Sequence, residues 1–311
     1  VRALQACVYN KLDAGRELVT TIPLEFSIDD KTGIRDPKGF VGSKLGVKAV
    51  MITSPKKNIY SVVSILESVG LEVTDITFSA IGDYYEFKTI ETDTCVGAVI
   101  NIGAHTTNVS VFNKGVMIKN EVLDIGGKNI DNDIAYIYKV DSLIAREIKE
   151  KFAVASKRLA NINEMYEVTN LRGEVLKLNQ YEISEVVSSR ISEILKLAKK
   201  QINILTNKEI SYIMITGGIS EMPGFQFIVE EIFGNKAYTM SMSNIGIRKN
   251  SFSSVSGIIR YFYEKLILRG KEYSMLNKEQ EEDLVSTKKR LINFSNNSVI
   301  GKVFGYFFDN N

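Results

Sequence analysis

Apolar residues along the chain form short runs that end in glycine-bearing loops, a pattern typical of a mixed α/β protein. Residues 97–124, GAVINIGAHTTNVSVFNKGVMIKNEVLD, combine a buried strand, a tight loop and two further strands. Residues 210–218, ISYIMITGG, are a second apolar strand run that ends in paired glycines. The pattern therefore predicts two strand ends with glycine loops, far apart along the chain.

The N-terminal quarter of the chain predicts a compact α/β unit. Alternating apolar and polar residues indicate strands, and apolar residues at 3.6-residue spacing indicate one helix. We predict strands at 17–26, 47–52 and 71–78, a turn-rich loop at 29–42, and a helix between Pro55 and Gly70.

The glycine loops suggest phosphate and nucleoside chemistry. Gly103 lets backbone N–H groups approach an anion, and the hydroxyls of Thr106 and Thr107 add donors. Gly217 and Gly218 leave room for a flat base or ribose against the peptide. Together with the glycine pair at 126–127 between them, these loops predict a nucleotide clamped between two lobes.

These motifs resemble the actin/Hsp70 ATPase superfamily and, within it, the FtsA family of bacterial cell-division proteins. The superfamily hairpin D-I-G-G-G-T-x-D is similar to residues 101–108, and the adenosine loop T-G-G-x-A-x-x-P-G is similar to 216–224. Residues 22–30 and 33–37, IPLEFSIDD and GIRDP, resemble the segment that opens the family's subdomain 1C. The resemblance implies an α/β, actin-like two-lobed (ribonuclease H-like) fold with a small subdomain 1C and a C-terminal amphipathic helix.

The resemblance also implies a division of the chain into subdomains. We predict the end of the first part of subdomain 1A at 1–16, subdomain 1C (SHS2-like) at 17–80, the second part of 1A at 81–122, the first part of 2A at 123–150, 2B at 151–205, the second part of 2A at 206–250, a closing helix at 251–269, a flexible linker at 270–296 and a membrane-targeting helix at 297–311.

ATP and Mg²⁺ are the cofactors that the resemblance implies. The corresponding nucleotide-binding residues are Asn101, Gly103, His105, Thr106, Thr107, Gly126, Gly127, Glu147, Lys149, Gly217, Gly218 and Met222. Glu147 and Lys149 belong to a segment similar to the family's A-E-x-I-K, whose acidic and basic members flank the nucleoside. For both, a solvated helix face is the alternative.

Three of the candidate residues carry open questions. Asn101 stands where the superfamily has an Asp that interacts with hydrated magnesium, and an amide attracts metal and polarises water less than a carboxylate. His105 replaces a glycine, and it is either an exposed loop residue or a polar contact to the terminal phosphate. Asp75 is the one catalytic candidate, with a solvated strand-end carboxylate as its alternative.

Composition narrows the function further. A formal net charge of +2 in 311 residues predicts no nucleic-acid partner, and the two cysteines, Cys7 and Cys95, fit a reducing cytosol. The family's first phosphate hairpin, with its magnesium-associated Asp, lies upstream of Val1. We therefore expect an N-terminally truncated chain that binds ATP poorly by itself; a chain that starts at Val1 is the alternative.

The C-terminal tail, VIGKVFGYFF at 299–308, places its large apolar residues on one face of a helical wheel. These are Ile300, Val303, Phe304, Phe307 and Phe308. A short apolar face after a polar linker predicts an interfacial membrane helix. Docking on a protein partner is the alternative.

The family resemblance implies a protein that binds ATP, polymerises and tethers the FtsZ ring to the cytoplasmic face of the membrane at the division septum, with slow ATP hydrolysis at most. Its implied partners are the C-terminal tail of FtsZ through subdomain 2B, further copies of itself, later division proteins through 1C, and the lipid surface. An actin-fold ATPase or sugar-kinase relative with active hydrolysis or phosphoryl transfer is the alternative.

Overall fold

The computed structural model describes residues 2–9, 11–34 and 36–268. The predicted linker at 270–296 and the tail with its apolar face lie outside the described residues. The chain divides into one compact unit of residues 1–262 and a second unit that begins at Tyr263, of which only the end of one helix is described.

The N-terminal unit is a small antiparallel sheet with two helices. Its elements are α1 (Arg2–Val8), β1 (Arg16–Ile28), β2 (Lys31–Ile34), β3 (Leu45–Pro55) and α2 (Lys56–Ser68). β1 lies in the middle of the sheet, with β2 and β3 at its two edges. Gly70 ends the helix region with a positive φ of 82°, as its place in the sequence predicts.

Two of the three predicted strands of this unit are confirmed, and both are longer than predicted. The loop predicted at 29–42 contains the short strand β2. The strand predicted at 71–78 is wrong, since no strand forms there. Its alternating pattern does not separate two faces, because Leu71, Glu72, Thr74, Asp75 and Ile76 are all exposed. Without a buried face, alternation gives a segment no reason to pair.

A second, mixed sheet forms the body of the chain. The remaining elements are α3 (Ser79–Phe87), β4 (Val96–Ile102), β5 (Thr107–Asn113), β6 (Val116–Leu123), α4 (Gly127–Tyr138), α5 (Ser142–Lys151), β7 (Met165–Thr169), β8 (Val175–Asn179), α6 (Gln180–Leu205), β9 (Tyr212–Thr216), α7 (Phe225–Phe233), β10 (Ala237–Thr239) and α8 (Ser253–Leu268). The five strands lie in the order β10-β9-β4-β5-β6, and β7 with β8 forms a separate hairpin.

The register of this sheet brings the two predicted glycine loops together. β4 pairs in parallel with β9, so Asn101 lies opposite Thr216, and it pairs antiparallel with β5. The sequence analysis placed 81–122 in subdomain 1A and 206–250 in subdomain 2A, which belong to different lobes, whereas their strands β4 and β9 are neighbours in one sheet. Periodicity identifies a strand but not its partner, and these two strands are separated along the chain by β5, β6, three helices and the β7–β8 hairpin.

Alternate residues of β4 and β9 belong to two hydrophobic clusters, one on each face of the sheet. Ile100 and Ile215 belong to the larger cluster, which the helices α4 to α7 cover. Val99 and Met214 belong to the smaller cluster, which includes residues of α3. The nearly continuous apolar runs of β4 and β9 are therefore explained by helices that pack on both faces of the sheet.

The helices α3 and α8 cross with backbone against backbone. A Cβ built on Gly257 would overlap the carbonyl oxygen of Gly82 and lie 2.6 Å from the carbonyl carbon of Gly82. Conversely, a Cβ on Gly82 would collide with the carbonyl oxygen of Ser254. Only glycine at both positions permits this approach. The helix α3 was not predicted from the sequence, which indicated only a segment leading into the β4–β5 hairpin.

Candidate functional site

A cleft of about 650 Å³ opens where the loops after β4 and β9 meet. Its walls come from the β4–β5 loop, the start of α4, one face of α5, the loop after β9 and the segment before α8. The lining residues are Asn101, Gly103, Ala104, Gly127, Arg146, Lys149, Glu150, Ala153, Gly217, Gly218, Ile219, Glu221, Met222, Pro223, Lys249 and Ser251. Seven of the predicted nucleotide-binding residues are among them.

The β4–β5 loop and the start of α4 are tied together by backbone hydrogen bonds. Gly127 N–H donates to the carbonyl oxygen of Gly103 (2.9 Å), and Lys128 N–H donates to that of Ala104 (2.6 Å). Gly126 packs so closely that a Cβ there would lie 2.7 Å from the Gly103 oxygen. Donors that could have faced an anion at this helix start therefore stabilise the loop instead.

Within the same loop, several predicted ligand groups have other partners. Gly103 N–H donates to the carbonyl oxygen of Thr106 (2.9 Å), which closes the loop. Thr107 is fully buried, and its hydroxyl donates to the carbonyl oxygen of Ile125 (2.7 Å). His105 and Thr106 are exposed and do not line the cleft. Their side chains are thus outside the cleft wall.

One face of α5 contributes the charged wall of the cleft. Its lining residues Arg146, Lys149 and Glu150 are spaced at i, i+3 and i+4, as on one helix face, and Ala153 lines the cleft just beyond the end of α5. Lys149 is buried, and its Nζ lies 2.7 Å from Asp131 Oδ1 and donates to the carbonyl oxygen of Gly127 (3.2 Å). The lysine is therefore fixed at the start of α4, with its charge neutralised by a buried partner.

Glu147 does not lie on this face. It is outside the cleft lining and forms an exposed ion pair with Lys151 (2.8 Å). When the segment is matched to A-E-x-I-K through Ala145 and Lys149, Arg146 occupies the acidic position. Arg146 in turn donates to Glu150 Oε1 (2.7 Å), so the cleft-facing acid stands one turn further along the helix.

The loop after β9 forms the opposite wall. Gly217 has a φ of 96°, and a Cβ there would collide with the carbonyl oxygen of Ile102 and lie 2.7 Å from Asn101 Oδ1. Gly218 has nothing within 4 Å of an added Cβ, so it faces open space in the cleft. Met222 also lines the cleft, as part of the turn that follows.

Asn101 is held by a buried carboxylate that the sequence analysis did not single out. Asp83, on α3, is 1% exposed, and its two oxygens lie 3.0 and 2.9 Å from Asn101 Nδ2. The hydroxyls of Ser253 and Ser254, at the start of α8, donate to Asp83 Oδ1, each at 2.7 Å. Burial raises the pKa of Asp83, and these hydrogen bonds oppose that shift in part.

Asp75 is placed elsewhere. It is exposed and lines a groove of the N-terminal unit together with Glu17, Ile59 and Tyr60. Asp83 is thus the acidic residue that contacts Asn101, and Asp75 is absent from the cleft lining.

Sequence reasoning also missed Arg146, Glu150, Lys249 and Ser251 in the cleft lining. Helical spacing identifies the first two, since Arg146 lies three residues before Lys149 and Glu150 lies four residues after Arg146. No pattern pointed to Asp83, because one acidic residue in an apolar segment resembles an exposed position. Among the described residues, no group of three or more His, Cys, Asp or Glu side chains could hold a metal ion.

Comparison with solved structures identifies the fold. MreB5 of Spiroplasma citri bound to ADP superposes with a TM-score of 0.56 at 16% identity, over 69% of this chain and 67% of that one. The PilM–PilN type IV pilus biogenesis complex gives a TM-score of 0.56 at 16% identity, over 86% and 70%. The predicted fold class is confirmed: this chain has the α/β fold of the actin-like ATPases.

Sequence comparison then identifies the family. The model of cell division protein FtsA matches residues 98–257, just over half of the chain, and that of the SHS2 domain inserted in FtsA matches residues 1–53. The chain therefore belongs to the FtsA family, as its motifs predicted. Cell division protein FtsA of Bacillus subtilis is 24% identical over 87% of this chain, and those of Pseudomonas aeruginosa and Escherichia coli K12 are 26% identical over 85% and 84%. The chain spans 62%, 65% and 63% of the lengths of these relatives.

Proposed function

We propose that the chain works in bacterial cell division as an ATP-binding, self-associating adaptor that connects the FtsZ ring to the cytoplasmic membrane at the septum. The observation that carries the proposal is the cleft, in which glycine loops at the ends of β4 and β9 face the charged side of α5. Its class also supports a nucleotide, since MreB5 of Spiroplasma citri was solved with ADP and with AMPPNP.

Gly218 offers a direct test of nucleotide binding in the cleft. Because its added Cβ meets no atom within 4 Å and its φ is not positive, Gly218→Val fills the cleft without disturbing the loop. We expect the wild-type chain to bind a fluorescent ATP analogue with low affinity, as the sequence analysis predicts, and excess ATP to displace it. Gly218→Val should lose this binding while unfolding at the same temperature.

The matched control is Gly15→Val, which also adds a side chain into open space, but in the turn before β1. It should bind the analogue as the wild type does. Equal binding by both valine variants would place the nucleotide outside this cleft and contradict the proposal.

We propose that magnesium binds with the nucleotide through the water shell that Mg²⁺ usually keeps. The cleft residues fit that role, because the side-chain oxygen of Asn101 lies beside Gly217 and can accept from a metal-bound water. A neutral acceptor at this position supports slow ATP hydrolysis at most, since the hairpin itself carries no carboxylate there.

We propose that subdomain 2B, residues 151–205, receives the C-terminal tail of FtsZ in a groove beside α6. The groove has a volume of about 730 Å³, and Arg158, Lys196 and Lys200 line it. Among the ion pairs of the described residues, none involves these three cations. By contrast, Arg190 of the same helix is paired with Asp133. A tail with acidic and apolar residues complements the unpaired cations.

The groove is tested with a labelled FtsZ tail peptide and fluorescence anisotropy. Charge reversal at Lys196 and Lys200 should weaken binding and reduce its dependence on salt. Lys208→Glu, an exposed reversal beyond the end of α6, is the control and should bind nearly as the wild type. If both reversals lower the affinity equally, the peptide responds to overall charge and not to this groove.

We propose that subdomain 1C contributes to self-association and to contacts with later division proteins. The helix α2 supports this role, since none of its residues is buried. Its apolar side chains Tyr60, Val62 and Ile65 are 53%, 55% and 65% exposed. Val62→Lys with Ile65→Lys should lower the sedimentation coefficient of any assemblies and leave thermal unfolding unchanged. Unchanged assemblies would exclude this face.

We propose that the tail with Ile300, Val303, Phe304, Phe307 and Phe308 attaches the protein to the membrane. No described helix is long and apolar enough to cross a bilayer. Each buried apolar side chain contributes roughly 1.5–3 kcal/mol, so one tail binds reversibly and an assembly of many tails binds firmly. Phe304→Asp should abolish co-sedimentation with anionic vesicles. Undiminished co-sedimentation would show that the tail is not the anchor.

A further inference from the structure

The buried Asp83 carboxylate accepts hydrogen bonds from the end of β4 and from the start of α8. It is 1% exposed, and it accepts from Asn101 Nδ2 at both oxygens and from the hydroxyls of Ser253 and Ser254. No cation pairs with Asp83 in the part of the chain that the structure describes. A buried carboxylate that is hydrogen-bonded only to neutral donors polarises those donor groups.

Asn101 is the one of these donors that lines the cleft. Its amide nitrogen is directed at Asp83 and lies 3.3 Å from Ser254 Oγ as well, so both amide hydrogens have acceptors on the α3–α8 side. The amide oxygen consequently points the other way, beside Gly217. Asp83 thereby determines that the cleft meets an acceptor from Asn101 and not a donor.

We infer that Asp83 is a positioning residue of the cleft, which supplies through the amide of Asn101 the negative charge that the superfamily hairpin carries at that position. The inference rests on the proposed nucleotide binding. The group on which Asp83 and Asn101 act together is a magnesium-bound water of a nucleoside triphosphate complex. The carboxylate stands one hydrogen bond behind the cleft wall. It polarises the amide, and the amide oxygen accepts from the water.

A merely structural Asp83 would instead tie α3 to α8 and leave the ligand unaffected. The two roles differ in the magnesium dependence of nucleotide binding. A structural carboxylate alters the unfolding temperature and leaves the ratio of ATP dissociation constants in EDTA and in Mg²⁺ unchanged. A positioning carboxylate alters that ratio, because its charge acts on the hydrated metal.

The experiment compares the wild type, Asp83→Asn and the exchanged variant Asn101→Asp/Asp83→Asn. Calorimetric titration with ATP is done in excess Mg²⁺ and in EDTA, and thermal unfolding is followed in parallel. Asp83→Asn should reduce the EDTA-to-magnesium ratio by about tenfold, the equivalent of one charge-assisted interaction. The exchanged variant, with one carboxylate and one amide in the same places, should restore the ratio to at least the wild-type value.

Each outcome is decisive. A wild-type ratio in a folded Asp83→Asn variant overturns the inference and leaves the proposed function standing. A wild-type chain that binds no nucleotide in either condition overturns the proposed function and the inference with it. If Asp83→Asn does not fold, Asn101→Ala decides, because a wild-type ratio in that variant would show that no charge reaches the metal through the amide, and a ratio about tenfold lower would support the inference.

Discussion

At the crossing of α3 and α8, the substitution Gly257→Ala has two opposing effects on the stability of the chain, one from helix propensity and one from packing. Helix propensity alone predicts stabilisation by about 1 kcal/mol, because glycine is the poorest ordinary residue within a helix. Packing predicts the reverse, since the new Cβ would overlap the carbonyl oxygen of Gly82 and lie 2.9 Å from Glu86 N. Neither obstacle is a side chain that can rotate away.

The magnitude follows from the nature of the contact. Inserting a methyl into a close-packed site costs roughly 1–3 kcal/mol, and a contact with backbone belongs at the upper end of that range. After the gain in propensity is subtracted, Gly257→Ala should destabilise the chain by about 2 kcal/mol. For a protein of this size, that change lowers the unfolding temperature by roughly 4–8 °C.

Urea unfolding followed by circular dichroism measures the effect. The control is Gly15→Ala, whose added Cβ has no neighbour within 4 Å, and which should be neutral or slightly stabilising. A Gly257→Ala variant that is as stable as the wild type or more stable would mean that propensity wins. In that case, α3 and α8 do not meet with backbone against backbone.

Other substitutions test the burial of individual charges and hydroxyls. Lys149→Met should destabilise the chain by about 3–5 kcal/mol in urea unfolding, because it leaves Asp131 buried without its partner; Lys151→Met, in an exposed pair on the same helix, should change little. Burial raises the pKa of Asp83 in the folded chain, so the folded state binds more protons than the unfolded state. The free energy of unfolding therefore falls as pH rises from the ordinary carboxyl pKa through the raised value. Asp83→Asn should remove this pH dependence, and a pH dependence that persists in the variant would assign it to other groups. Thr107→Val should cost about 0.5–1.5 kcal/mol, because the carbonyl of the half-buried Ile125 loses its donor, and an unaffected midpoint of unfolding would contradict that hydrogen bond.

The local pattern predicted most strands correctly, and the reason is visible in β4. Its run Val96–Ile102 is buried on both faces, so nearly every residue is apolar, and the glycine that follows marks the end. The segment 71–78 shows the limit of the same rule. It alternates as a strand does, yet most of its residues remain exposed, and burial is a property of the whole fold.

The candidate site could be predicted only in part, for two physical reasons. Glycine loops mark close approach of the backbone, and they predicted Gly103, Gly127, Gly217 and Gly218, all of which line the cleft. Charged residues are harder, because their direction depends on helix phase and their burial on distant elements. Asp83 meets Ser253 and Ser254 across about 170 residues of chain, a contact that no local spacing encodes.

The parallel pairing of β4 with β9 also determines when the cleft comes into being during synthesis. Roughly 120 residues lie between the start of β4 at Val96 and the end of β9 at Thr216, so at about 5–20 residues per second β9 emerges some 6–24 s after β4. In that interval β4 can pair with β5 but exposes its other, apolar edge, which is the kind of edge that promotes aggregation. The nascent chain is therefore most exposed to aggregation while residues 114–211 are being translated, before the strand that completes the cleft exists.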